Sequence, residues 1–240
     1  MAHRFLIEGD AVAGDRAVIA GAEAHHLRNV LRLRPGTAVE LLDGHGTIHG
    51  AEIESTAADC VARITTTERI APAVPELHLV QAMLKTDKME FVLQKAVELG
   101  IRSFRPLLSE RCETRRLDAH RLDRWRKIVG AACKQCGQAW LPDLAPLTTI
   151  GQLTVPDDSL KLAFWEEEKR SALASLLAPA PRCARIYLCV GPEGGFSPPD
   201  IAGLHGHGFV AASLGKLILR AETAALAALA VCRFASGQLG

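Results

Sequence analysis

The sequence predicts an α/β fold with a parallel sheet in its second part, preceded by a small β-rich domain. Apolar runs at 77–84 and 101–108 flank a helical pattern, and such a β-α-β unit requires a parallel sheet. A third apolar run, at 185–190, ends in a loop too rich in glycine and proline to be helix or strand. Residues 1–70 instead contain short apolar runs separated by turn residues, which is typical of a small β domain.

Residues 1–70 form the predicted first domain, a small barrel with one helix. The Asp43-Gly-His-Gly46 stretch predicts a hairpin turn. The helix is predicted at 24–33, where a proline and a glycine follow and stop it. Strands are predicted at 4–7, 16–19, 38–42, 47–53 and 60–64. A linker with two prolines then leads to the second domain, which spans residues 76–240.

The second domain alternates predicted strands and helices. Asp87 is the predicted cap of its first helix, and Gly100 is the predicted end. The buried stripe of this helix consists of Met89, Val92, Leu93, Ala96 and Val97. Ser197 is the predicted cap of a short helix at 200–205. The other helices are predicted at 122–140 and 224–234, and the other strands at 160–164 and 209–214.

Two groups of basic side chains are candidates for binding a polyanion such as a nucleic acid. The net charge is only +1, but residues 85–138 carry 13 basic and 7 acidic side chains. A polyanion would contact such a segment, although a charge run is also the usual sign of a solvated helix face. The predicted helix at 24–33 allows the same two interpretations. The candidates are Arg111, Arg115, Arg116 and Arg124 in the longer segment, and His25, His26, Arg28 and Arg32 in the helix.

The composition argues against several classes of protein. Seven cysteines, an odd number without framework spacing, indicate free thiols in a reducing cytosol. The only CxxC pair, Cys133 and Cys136, has no second pair or suitably spaced histidines, so no metal site is predicted. No apolar run reaches the length of a membrane span, and no apolar signal-peptide core is present. We therefore expect a cytoplasmic protein without a membrane partner.

Two glycine-bounded loops near the carboxyl terminus form the predicted ligand site. Gly191, Gly194 and Gly195 allow tight turns and close approach of the backbone to a ligand. Arg220 and Glu222 lie between an apolar loop and an apolar helix, where an unpaired charge is costly. Ligands in open α/β sheets bind beyond the carboxyl ends of strands. Three such ends converge here: 164–166, 190–195 and 213–220.

The motifs of these loops resemble those of the knotted SPOUT methyltransferases. They read Gly191-Pro-Glu-Gly-Gly195, Ser213-Leu-Gly215 and Ile218-Leu-Arg-Ala-Glu-Thr-Ala224. The resemblance is strongest to the family that N3-methylates a uridine of small-subunit (16S) ribosomal RNA, and it covers nearly the whole chain. It implies an amino-terminal PUA-like barrel and a trefoil knot, a feature nearly absent from other proteins. It also implies a homodimer packed through the knot, with 16S ribosomal RNA or the small ribosomal subunit as partner.

The resemblance further implies S-adenosylmethionine as the cofactor. Arg220 would orient and stabilise the reacting uridine, while Glu193 and Glu222 either accept its proton or hold a loop, the loop role being favoured for Glu193. The implied catalytic residues are Arg220 and Glu222, and the implied cofactor-binding residues are Phe164, Trp165, Val190, Gly191, Pro192, Glu193, Gly194, Gly195, Ser213, Leu214, Gly215, Leu217, Leu219, Thr223 and Ala224. The family usually has an arginine near Gln138, which this chain lacks, so Gln138 is given no role.

Two alternatives stay open at this point. A knotted enzyme could methylate a ribose or a transfer RNA, but the amino-terminal barrel and the spacing of residues 219–224 argue against that substrate. The chain could also be a non-catalytic RNA-binding factor for ribosome assembly. The presence of all three loop glycines together with Arg220 and Glu222 argues against this second alternative.

Overall fold

The computed structural model of the protein describes residues 3–169, 171 and 173–239. The chain forms two compact units. The first comprises Met1–Pro72 and Gly130–Leu141, and the second comprises Ala73–Val129 and Pro142–Gly240. The segment Gly130–Leu141 therefore belongs with the first unit, whereas the sequence assigns it to the second domain.

A six-stranded sheet forms most of the first unit. Its strands are β1 (His3–Leu6), β2 (Val12–Ala13), β3 (Arg16–Ile19), β4 (Ala38–Leu42), β5 (Thr47–Ser55) and β6 (Cys60–Arg69). They lie in the order β1-β4-β5-β6-β3-β2, with β1 parallel to β4 and the other pairs antiparallel. All five predicted strands are confirmed, and β2 was not predicted. The predicted hairpin turn is also confirmed, because Asp43 Oδ1 accepts hydrogen bonds from His45 N at 2.7 Å and Thr47 N at 2.8 Å.

The one helix predicted in this unit differs from the prediction. Helix α1 spans Gly21–His25 and continues as a π-helical turn over His26–Val30. The wider turn is visible in the hydrogen bond from Leu31 N to the His26 carbonyl at 2.9 Å. Arg32 then adopts a left-handed conformation with φ of 53°, which is uncommon for a residue other than glycine. π turns frequently lie at functional sites, so this segment is a candidate RNA contact.

The segment Gly130–Leu141 is joined to the first unit by side-chain contacts. Lys134 Nζ forms an ion pair with Glu23 Oε1 at 2.5 Å. The indole Nε1 of Trp140 donates a hydrogen bond to the Ile70 carbonyl at 3.0 Å. These contacts explain why a segment so far along the chain completes the amino-terminal unit.

An all-parallel sheet forms the centre of the second unit. Its strands are β7 (Glu76–Ala82), β8 (Ser103–Leu108), β9 (Asp143–Leu144), β10 (Thr148–Thr149), β11 (Leu160–Phe164), β12 (Arg185–Val190) and β13 (Val210–Ala212). The order is β10-β8-β7-β12-β11-β13, and β9 also pairs with β8. Every pair is parallel, which confirms the predicted sheet. The carboxyl ends of β11, β12 and β13 therefore lie side by side.

The helices of this unit mostly follow the predicted pattern. They are α2 (Thr86–Glu98), α3 (Ala119–Cys136, whose residues from Gly130 belong to the first unit), α4 (Leu173–Leu177), α5 (Pro198–Gly206) and α6 (Ala221–Ala235), with short 3-10 turns at Ile150–Gln152 and Ala180–Arg182. A further 3-10 turn, Gly9–Ala11, lies in the first unit. All five predicted stripe residues of α2 are buried. Ser197 caps α5 as predicted, with its side chain accepting from Asp200 N at 3.2 Å. No helix within the described ranges is long and apolar enough to cross a membrane.

The predicted cap of α2 is wrong. Lys85 occupies the capping position, and Asp87 lies inside the first turn. The backbone N–H of Lys85 donates instead to the side chain of Glu193, with an N to Oε1 distance of 3.1 Å. A residue of the glycine loop thus binds the amino terminus of this helix, where a negative charge is favourable.

Candidate functional site

A pocket of about 230 Å³ lies where β11, β12 and β13 end. It is lined by every predicted cofactor-binding residue except Thr223, which is exposed at the start of α6. The structure therefore brings together three loops that are distant in the sequence. The lining also includes Glu166, Lys216 and Ile218, which lie within the predicted strand ends but are not among the individually predicted residues, and Ala221, which lies just beyond them. All four are neighbours of assigned residues in the same loops, and that adjacency was the signal available.

Two glycines of the first loop are required by the geometry of the pocket. Gly195 has φ of 70°, and a Cβ at this position would overlap the carboxylate of Glu166. A Cβ at Gly191 would lie 3.2 Å from the backbone nitrogen of Phe196, closer than such contacts usually are. The glycines thus let the loop fold tightly against its own backbone and against the pocket.

One buried and one half-buried side chain hold the pocket loops in place. Gln81 in β7 is fully buried, and its Nε2 donates to the carbonyls of Val190 and Gly191 at 3.4 and 3.2 Å. Trp165 Nε1 donates to the Phe196 carbonyl at 3.1 Å. Gln81 was missed by the sequence analysis, because nothing in its apolar surroundings marks it as a support for a loop more than a hundred residues away.

A charged group joins the glycine loop to the start of α6. Lys88 Nζ lies 3.7 Å from Glu193 Oε1 and 3.7 Å from Glu222 Oε2. The three side chains are 29%, 21% and 17% exposed, so the group is partly shielded from water. Lys88 was not among the predicted site residues.

The two predicted catalytic residues lie at the beginning of α6, beside the pocket. Arg220 precedes the helix and is exposed, and its guanidinium has no ion pair within the described ranges. Because Arg220 is exposed to solvent, its positive charge needs no partner, and the predicted cost of leaving it unpaired does not apply. Glu222 is half-buried, and neither residue is among those that line the pocket.

The basic candidates of the second unit have different environments. Arg111 donates from its guanidinium to the Gly194 carbonyl at 3.0 Å, so it contacts the glycine loop. Arg124 forms an ion pair with Glu90 at 2.6 Å. Arg115 and Arg116 are exposed, and Arg115 makes only long hydrogen bonds, of 3.4 and 3.5 Å, to backbone carbonyls. The last two are therefore the residues most available to a polyanion.

The candidates of the first unit also separate into bound and accessible side chains. Arg28 donates to the carbonyls of Ala57 and Ala58 at 2.6 and 3.0 Å, which gives it a structural duty. His26 is half-buried and meets the ring of Phe5 edge-on. Arg32 is exposed in its left-handed conformation.

Neither a metal centre nor a disulfide is present in the described part of the chain. No group of three or more potential ligand side chains is found there, and its seven cysteines are free thiols. Burial raises the pKa of Cys133 to about 12, and Cys136 is exposed. Gln138, left without a role above, donates to the Trp140 carbonyl at 2.9 Å.

A buried histidine lies in the parallel sheet outside the pocket. The ring of His78 stacks on Tyr187 with 4.3 Å between centroids, and Nδ1 is 2.7 Å from Ser103 Oγ. Burial, and then the positive charges of Arg105 and neighbouring arginines, lower the pKa of His78 to about 4. The imidazole is therefore neutral at physiological pH.

The fold and the pocket define a class of protein once they are compared with known families. Residues 72–233 match the RNA methyltransferase domain family, and residues 19–61 match the RNA methyltransferase PUA domain family. The class is that of RNA methyltransferases in which a parallel-sheet α/β domain follows a PUA domain.

Individual relatives narrow this class. Ribosomal RNA small subunit methyltransferase E of a Synechocystis species is 31% identical over 233 residues, which cover 96% of this chain and 77% of the relative. The crystal structure of the Neisseria gonorrhoeae enzyme of the same name, bound to S-adenosylmethionine, has 33% identity and a TM-score of 0.89 over 98% of both chains. A Legionella pneumophila structure in complex with S-adenosylmethionine has 31% identity and a TM-score of 0.87 over the same share of each chain. The chain belongs to the ribosomal RNA small subunit methyltransferase E family.

Proposed function

We propose that the protein transfers the methyl group of S-adenosylmethionine to N3 of a specific uridine in 16S ribosomal RNA. The observation that carries this proposal is the pocket at the carboxyl ends of β11, β12 and β13, lined by the two glycine-bounded loops. Relatives named for methylation of the ribosomal small subunit, and two similar structures with bound S-adenosylmethionine, support the same substrate and cofactor.

The residues of the pocket fit S-adenosylmethionine. Leu214 and Leu219 offer apolar surface for the adenine ring and the methionine chain. Glu166 presents a carboxylate that can accept hydrogen bonds from ribose hydroxyls. The acidic side chains of Glu166 and Glu193 also attract a positively charged sulfonium in a partly shielded site.

The proposed chemistry needs positioning more than covalent help. Bound S-adenosylmethionine supplies an electrophilic methyl group; the bond from N3 to this carbon forms as the carbon–sulfur bond breaks, and N3 loses its proton. Arg220 stays protonated, so it cannot be the base, and its role is to orient the uridine and stabilise the negative charge left by that proton. Glu193 and Glu222 both lie 3.7 Å from Lys88 Nζ, but Glu193 also accepts a hydrogen bond from Lys85 N, so Glu222 is the carboxylate that we assign to accept the proton.

The proposal extends to the roles of the two domains, the residues that contact RNA and the oligomeric state of the protein. Residues 1–70 would act as the PUA-like RNA-binding domain, and 76–240 as the methyltransferase domain with its trefoil knot. Arg32, Arg115 and Arg116 are the accessible basic residues among the RNA-binding candidates. We further propose a cytoplasmic homodimer packed through α6 and the knot loop before it. This is supported by the large exposed fractions of Leu217 and Ile218 in that loop, 82% and 84%, and of Phe234 on α6, 72%.

The proposal is tested with small ribosomal subunits, and separately with free 16S RNA, purified from a strain that lacks the gene. Incubation with labelled S-adenosylmethionine should label one uridine, located by mass mapping of nuclease fragments. Methylation at N3 blocks the Watson–Crick edge and stops reverse transcription, whereas ribose methylation leaves that edge free. A labelled ribose, or label only in transfer RNA, would overturn the proposed position. RNA binding without methyl transfer to any of these RNAs would favour the assembly-factor alternative.

A further inference from the structure

Lys88 lies in the first turn of α2 and faces two carboxylates that come from different pocket segments. Its Nζ is 3.7 Å from Glu193 Oε1 and 3.7 Å from Glu222 Oε2. Glu193 belongs to the glycine loop after β12, and Glu222 belongs to the first turn of α6, directly after the loop that follows β13. A single cation therefore joins both sides of the pocket.

The ion pair with Lys88 matters for Glu222 because the carboxylate is shielded from water. Its Oε2 is buried and accepts no hydrogen bond from the described residues, so the ammonium of Lys88 is the charge that compensates it. Partly buried pairs are screened by salt less than exposed pairs are. Removing the cation would leave a shielded carboxylate uncompensated, which is costly.

Helix α2 provides a fixed base for this contact. Glu193 is held a second time, because its Oε1 accepts a hydrogen bond from Lys85 N at 3.1 Å. Five apolar side chains of α2 are buried, and the helix packs against α6. A side chain on α2 can therefore fix the glycine loop and α6 relative to each other.

We propose that Lys88 is a positioning residue that locks the glycine loop and the first turn of α6 into the geometry of the pocket. The lock sets the affinity for S-adenosylmethionine and the placement of Glu222. The identity of the ligand rests on the proposed function, but the lock itself is a property of the ligand-free protein.

The lock is tested by replacing the ammonium and keeping the length of the side chain. Calorimetry should show that Lys88→Met binds S-adenosylmethionine about tenfold more weakly than wild type, the effect expected when a shielded carboxylate loses its charged partner. Lys88→Arg, which keeps the charge, should recover most of this affinity. The matched control is Lys95→Met, which removes a 2.8 Å ion pair with Glu98 on the same helix, away from the pocket loops. The affinity of Lys95→Met for S-adenosylmethionine should equal that of wild type.

A double substitution separates positioning from a general loss of stability. In a Glu193→Gln/Glu222→Gln background, Lys88→Met should cause no further loss of affinity, because the carboxylates it holds are already neutral. A tenfold loss in that background would show that Lys88 acts through something else and would overturn the lock.

A second measurement needs no ligand. Backbone amides at 191, 193–195 and 214–222 should exchange with solvent faster in Lys88→Met than in wild type, and equally fast in Lys95→Met and wild type. Identical exchange in all three proteins would overturn the lock. Failure of wild type to bind S-adenosylmethionine would instead overturn the proposed function, and the exchange data would still decide for or against the lock.

Discussion

The guanidinium of Arg111 donates a 3.0 Å hydrogen bond to the backbone carbonyl of Gly194. A Cβ built on Gly194 would lie 3.3 Å from Arg111 Cβ, so the two backbones approach closely. The basic loop after β8 is thus joined to the glycine loop of the pocket. Arg111, assigned from the sequence to RNA alone, is therefore placed to affect cofactor binding as well.

We expect Arg111→Ala to weaken S-adenosylmethionine binding about fivefold, since a net hydrogen bond contributes about 1 kcal/mol. Calorimetry on the purified variant measures this. Arg116→Ala, in the same segment but without such a contact, should leave the affinity unchanged. Equal affinity of Arg111→Ala and wild type would return Arg111 to a role in RNA binding only.

Arg220→Ala should lower the rate of methyl transfer about a hundredfold or more, because one preorganised charge at the reacting base is lost. Cofactor affinity should be retained, since Arg220 does not line the pocket. The backbone of residue 220 still accepts the hydrogen bond from Ala224 N, so α6 should keep its start. Single-turnover rates with saturating cofactor are the measurement, and a rate near that of wild type would make Arg220 structural.

The double variant Arg115→Ala/Arg116→Ala should bind RNA more weakly and with a flatter salt dependence. Each phosphate contact releases counterions, so the slope of log affinity against log salt should fall by roughly one to two units. Arg126→Ala is the control, because Arg126 is already paired with Asp123 at 2.6 Å. Slopes that coincide for wild type and the double variant would indicate a solvated loop and make the first unit the main RNA contact.

Light scattering at micromolar concentration should give twice the 25.8 kDa mass of one chain. Phe234→Ser should shift the protein toward monomer, because it removes an aromatic side chain that is 72% exposed on α6. Val30→Ser, at an exposed apolar position of the first unit, should leave the mass unchanged. A monomeric wild type would contradict packing through α6.

Stability should fall as the pH drops from about 6.5 to about 4, in part because of His78. Its folded pKa of about 4 lies below the 6.5 of the unfolded chain, so below pH 6.5 the unfolded state binds the proton more readily. The loss approaches about 1.4 kcal/mol per pH unit in this range. Urea unfolding of wild type and His78→Phe measures it. At pH 7 the free energy of unfolding of His78→Phe should be about 1 kcal/mol lower than that of wild type, because the hydrogen bond to Ser103 is lost. Its free energy of unfolding should then fall less steeply than that of wild type as the pH drops from about 6.5 to about 4.

The sequence predicts those features that depend on local periodicity. The stripe from Met89 to Val97 repeats at helical spacing, and the strands at 16–19, 38–42 and 160–164 have the bounds that the structure gives. Strands of two residues, such as Asp143–Leu144, are too short to produce a periodic signal. The π turn at His26–Val30 has no such signal either, which is why the spacing predicts an ordinary helix over 24–33 instead.

The site is predicted where its residues are contiguous and missed where they are not. Gly191 to Gly195 form one loop, and every residue of that loop lines the pocket. Lys88 meets Glu193 only because β7 and β12 are neighbours in the sheet, and their pairing is long-range information. The same pairing brings Glu193 to the amino terminus of α2, which explains why Asp87 is not the cap.

The assignment of Gly130–Leu141 to the first unit has a consequence for protein synthesis. The sheet of that unit is complete once Arg69 has been made, yet Lys134 and Trp140, which hold Glu23 and the Ile70 carbonyl, are added about seventy residues later. On the ribosome, the first unit therefore stays incompletely folded while residues 73–129 of the second unit are translated. The two units cannot mature strictly one after the other, and a gene fragment that ends at the linker encodes the first unit without its last segment.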